Sequence, residues 1–161
     1  MTDPLATYLH DHLAGSHFAI ELLNSLHDYP GDEELSKFAA DLRAELKEEQ
    51  EMLQGIADRI GTGGLKLAAA AGWVMEKASK LKLQRDEAGA GLGTFQSLET
   101  LLLGVRGKLA LWQALEVIRE VDPRIPDQNF RQMVARTEDQ CARVEEQRLR
   151  SARATFKPAA A

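Results

Sequence analysis

The chain has 161 residues, 44% of them hydrophobic and 28% charged, with a net charge of −5. This balance fits one folded domain with a substantial core and excludes both a disordered chain and a membrane-embedded one. One cysteine, Cys141, excludes an internal disulfide framework.

The charge is unevenly spread. Residues 1–64 carry thirteen acids against four bases, residues 65–85 five bases against one acid, and residues 127–161 seven bases against five acids. Such a chain suits self-complementary pairing rather than nucleic acid, and no basic surface interleaved with aromatics is present. The opening residues, MTDPLATYLHDH, have no basic start followed by an apolar run. The uncharged stretch from Leu67 up to Glu76 is far too short to span a bilayer. A cytoplasmic protein is the expectation.

Helical periodicity runs through the whole sequence, and no segment alternates as a strand does. A first helix is predicted from Pro4 to His27, with Asp3 as its cap, Pro4 in its first turn, and Leu5, Leu9, Leu13, Ile20 and Leu23 along one face. DYPGDE breaks the chain, and Asp32 opens a second helix from Glu33 to Ile60. Its stripe is Leu35, Phe38, Leu42, Leu46, Leu53, Ile56 and Ile60, and GTGG from Gly61 stops it. A shorter helix is predicted over residues 65–84. Its lysine-rich side is most simply the wet face of an amphipathic helix, although such a helix can also touch an anionic membrane surface. A third long helix runs from Thr94 to Glu120 and a fourth from Asp127 to Ala154, leaving residues 155–161 as a frayed tail of a single domain.

The third helix is apolar on two sides. Phe95, Leu98, Leu102, Val105, Leu109 and Trp112 form one, and Leu103, Gly107, Ala110, Ala114, Val117 and Val121 the other. A helix of this kind is expected to be covered on both faces. The small residues Gly107, Ala110 and Ala114 invite close approach by the 65–84 helix. The predicted architecture is an all-α four-helix bundle with a short crossover helix between helices two and three.

Polar residues interrupt the stripes. At 100° per residue, His12 falls inward on helix one and Glu49 on helix two. Glu116 falls inward on helix three, with Arg106 on its border, and Cys141 with Thr137 on helix four. His10 and His17 fall on the solvent side. Glu49 lies in the series Leu42, Leu46, Glu49, Leu53, Ile56, so its carboxylate needs a partner, and Arg106 and His12 are the leading candidates. Cys141 is expected to be a small buried hydrophobe. No nucleophile–base constellation is visible, and GTGG and GAGLG follow no strand, so neither cradles a nucleotide.

Four long helices, a long link between the second and third, and inward carboxylates resemble the ferritin-like superfamily, above all its small stress-associated bacterial members. The resemblance spans residues 4–154 by layout. It implies a di-metal site with a Glu from helices one and three and Glu-x-x-His from helices two and four. The motifs depart from that pattern. Helix two offers Glu45-x-x-Glu48, helix four offers Glu138-x-x-Cys141, and no histidine follows His27. The expectation is therefore a non-enzymatic bundle with no metal or other cofactor, and a buried polar cluster of His12, Glu49, Arg106, Glu116 and Cys141. It would act as a homo-oligomer, a dimer first of all, or by binding a protein partner, in stress response on the resemblance alone. The alternative is a metal-binding protein or oxidoreductase with an atypical His/Glu/Cys site.

Overall fold

The computed structural model describes residues 3–61, 76 and 91–158. These form four helices: α1 (Pro4–His27), α2 (Glu33–Ile60), α3 (Leu92–Ile118) and α4 (Phe130–Thr155). Among the described residues there is no strand. No helix among them is long and apolar enough to cross a membrane.

The helix boundaries follow from local chemistry. The Asp3 carboxylate accepts from the Leu5 amide at 3.0 Å and so satisfies a donor that the first turn leaves free. Asp32 does the same for Leu35 at 3.0 Å. Gly61 ends α2 with φ near 82°, a left-handed conformation that costs glycine little. The fourth helix starts later than Asp127. Asn129 caps it, its side chain accepting from the Gln132 amide at 3.1 Å. The residues before it are held in turns, with Ile125 N bonded to Asp122 O at 3.2 Å and Gln128 N to Pro126 O at 2.8 Å. Arg124 in that turn pairs with both Asp122 and Asp3, tying the α3–α4 connection to the start of α1.

The core is built as two apolar clusters stacked along the bundle. One joins Ile20, Leu23 and Leu26 of α1 to Leu35, Leu42 and Leu46 of α2, with Leu98, Leu101 and Val105 of α3 and Val144 of α4. The other joins Leu9 and Leu13 to Leu53 and Ile56, with Leu111, Trp112 and Leu115, and Phe130 and Met133. The early part of α1 therefore packs with the late parts of α2 and α3 and the early part of α4. Sequential pairs α1–α2 and α3–α4 are antiparallel hairpins, while α2 and α3 run parallel. That parallel pair starts α3 at the end of the bundle opposite to where α2 stops.

The proposed crossover helix falls on residues outside the described set, apart from Glu76. The cover expected for the second face of α3 lies outside the described residues with it. Leu103 and Val117 are 69% and 65% exposed, and Val121, in the turn that follows α3, is 82% exposed. Packing against α1 and α4 buries only the face carrying Leu98, Leu102, Val105 and Trp112. Among the described residues, nothing lies within 4 Å of where a Cβ on Gly107 would stand, so none of them uses Gly107 for close helix approach.

Candidate functional site

Glu49 is buried to 2% exposure, as the α2 periodicity requires. Its partner is not the expected one. Lys108 of α3 donates to Oε2 of Glu49 and to Oε1 of Gln140, a fully buried residue of α4. Gln140 Nε2 in turn donates to Glu49 Oε1 at 2.8 Å and to Glu45 Oε2 at 2.9 Å. Arg136 Nε stands 3.4 Å from Glu49 Oε1 and its Nη2 donates to Glu48 at 2.9 Å. Arg143 closes the group, donating to Glu45 Oε2 at 2.7 Å. Three glutamates of α2 thus meet one lysine of α3 and two arginines and a glutamine of α4, with charges balanced.

Each protonation state has a physical cause. Burial pushes the Lys108 ammonium pKa down, and the adjacent Glu49 carboxylate opposes that shift. Burial acts to raise the Glu45 pKa, but hydrogen bonds from Arg143 and Gln140 outweigh it and hold the carboxyl below its ordinary range. Burial also lowers His12, against the pull of Asp11, so its imidazole is neutral at pH 7.

The sequence-predicted cluster is only partly assembled. His12 is half-buried and packs edge-on against Tyr8, with ring centroids 4.7 Å apart. It shares with Glu49 and Lys108 the wall of a cavity of about 220 Å³ between α1, α2 and α3. Arg106 is exposed and faces a groove with Glu99, Glu145 and Arg148, so it does not reach Glu49. Glu116 lies one end away. Its Oε1 accepts from Arg119 and Arg131, each at 3.2 Å, and its buried Oε2 has no partner among the described residues. Cys141 is half-buried against the α1–α2 cluster, and burial raises its thiol pKa while Arg106 and Lys108 act the other way. It is an inert packing residue rather than a thiolate. His10, expected on the solvent side, is buried at 7% exposure.

Lys108 and Gln140 were missed for different reasons. The third helix is apolar nearly all round, so no helical angle singles out Lys108. Its long stem lets the ammonium travel from a border position to the interior. Gln140 does share the α4 stripe with Phe130, Met133, Thr137 and Val144, all of them buried. That spacing was the available signal.

The donor set does not suit a di-metal centre. Two cationic side chains lie against Glu49, and a metal would have to displace them. No group of three or more His, Cys, Asp or Glu able to hold a metal occurs among the described residues. In comparison with known proteins, the chain matches no family model, no curated protein and no solved structure.

Proposed function

We propose that this protein is a non-enzymatic ferritin-like bundle in which a buried ion-pair cluster stands where the metals would be, and that it acts by self-association. The observation that carries this reading is the Lys108 ammonium held between Glu49 and Gln140 in the interior, contacting α2 and α4 from α3. A fixed internal cation supplies the charge balance that a carboxylate-bound metal would otherwise supply. The parallel α2–α3 arrangement agrees with a long crossover of the ferritin-like kind.

Self-association is supported by the exposed face of α3. Leu103, Gly107, Ala110, Ala114 and Val117 follow alternating steps of four and three, the spacing of a helix seam. Leu103 and Val117 are large apolar groups left in solvent along it, and Val121 is a third in the turn just past its end. Two copies meeting along this seam would form an isologous dimer. Light scattering on the purified protein tests the assembly, with a dimer expected and a monomer for Val117→Glu. The cluster is tested by melting with and without iron, manganese or zinc. No shift is expected, and a large metal-dependent rise lost in Glu49→Gln would restore the metalloprotein.

A further inference from the structure

The cavity beside the ion pair is a slot between α1 and α3. Gly15 and Ala19 line one side and Gly104 and Gly107 the other. None of these three glycines would bring a Cβ within 4 Å of another described group, so the slot is open space and not a tight helix contact. Its volume of about 220 Å³ exceeds the roughly 150 Å³ that suffices for a benzene ring in an apolar protein cavity. Leu46, Leu53, Val105, Leu111 and Trp112 supply the apolar part of the wall, and Trp112 stacks on Phe130 with centroids 6.2 Å apart.

The polar groups of this wall are unevenly used. The Glu49 carboxylate is fully engaged by Lys108, Gln140 and Arg136. Ser16 donates to Leu13 O at 2.7 Å and accepts from Gln50 at 2.8 Å. Lys108 uses two of its three N–H groups. The indole N–H of Trp112 has no partner among the described residues, but it is fully enclosed and does not open onto the slot. Lys108 therefore keeps one donor for a guest, in an apolar slot large enough for a ring with a short substituent. The charge is already balanced by the ion pair, and Asp11 stands exposed at the rim, so a further anion is disfavoured.

We infer that this slot binds a small neutral cyclic molecule carrying a hydrogen-bond acceptor, a carbonyl oxygen above all, with the ring between α1 and α3 and the oxygen taking the free N–H of Lys108. This goes beyond the assembly reading and does not depend on it, since the slot lies within one chain. A site built on unused donors discriminates against an isostere that lacks the acceptor.

The test is a calorimetric and NMR titration of the whole protein with acetophenone, with cumene as the isostere lacking the oxygen, and with benzoate as the charged analogue. Acetophenone is expected to bind saturably, with cumene and benzoate each weaker by roughly tenfold or more, and to move the Trp112 indole N–H signal. Gly104→Leu should fill the slot and abolish binding of all three probes without lowering the melting temperature. Lys108→Met should bind acetophenone and cumene alike. If that variant is too unstable to titrate, Lys108→Arg, which keeps the charge but moves the donors, should shrink the preference. Equal binding of acetophenone and cumene to the wild type would overturn the inference. So would tighter binding of benzoate, binding that survives Gly104→Leu, a preference undiminished in Lys108→Arg, or no binding of acetophenone at millimolar concentration.

Discussion

At the scale of single residues, the central fact is a buried carboxylate whose nearest cation is a lysine. Removing one member of such a pair strands the other, and the cost exceeds what the pair contributes. Glu49→Gln should therefore destabilise the protein by about 3 kcal/mol, because Lys108 and Gln140 lose their charged acceptor. Lys108→Met should be similarly damaging. The double variant should cost less than the sum of the two, with a coupling of about 1–3 kcal/mol, and urea melts of all four forms measure it. Simple additivity would mean that Arg136, rather than Lys108, neutralises Glu49. The burial of Glu49 was legible in its helical series. Its partner was not, because a lysine's Cα position says little about where its ammonium ends.

At the scale of helices, Asp32 has two tasks. It caps α2 through the Leu35 amide and holds Arg150 of α4 at 2.8 Å. Asp32→Ala should lose about 1–2 kcal/mol, while Asp32→Asn keeps the cap and loses only the ion pair, so it should cost less than half as much. Burial acts to raise the Asp32 pKa, but the Leu35 amide and Arg150 outweigh it and leave the group below its ordinary value. Glu45 is lowered in the same direction. For carboxylates lowered on folding, the stabilisation is complete above the unfolded value of about 4 and is lost as pH falls through the folded values. The melting temperature should begin to decline below about pH 6.5, where unfolding frees His12 to take up a proton, and drop further below about pH 4, with a shallower drop there in Asp32→Asn. Gly107 gives the opposite kind of prediction. A methyl there meets no described atom within 4 Å, so Gly107→Ala should stabilise α3 by up to about 1 kcal/mol in thermal melts. The bounds of α1 and α2 were legible because Asp3, Asp32 and Gly61 are unambiguous end signals. The start of α4 was not, since Asp127 and Asn129 are both good caps and only the turns around Ile125 and Gln128 decide between them.

At the scale of the molecule, the acidic α2 and arginine-rich α4 face each other in antiparallel register. Asp32 meets Arg150, Glu45 meets Arg143 and Glu48 meets Arg136. The charge imbalance between the ends of the chain was visible in the sequence, and here it becomes the pairing of two helices. The all-helical architecture was equally visible in its 3.6-residue periodicity. The exposed side of α3 was not, because an apolar stripe looks the same whether its own chain or another covers it. The α1–α2 and α3–α4 hairpins are each local in sequence, whereas α2 must find α4 across a far longer span of chain. Contacts of the first kind close quickly and those of the second kind late. The Glu49–Lys108–Gln140 group joins one hairpin to the other, so it is expected to form after the barrier to folding has been crossed. In stopped-flow measurements Glu49→Gln should leave the folding rate almost unchanged and speed unfolding by roughly a hundredfold. A matching loss in the folding rate would place the group in the nucleus instead. The buried ion pair then acts as a latch: it does little to bring the hairpins together, and much to set how long they stay docked.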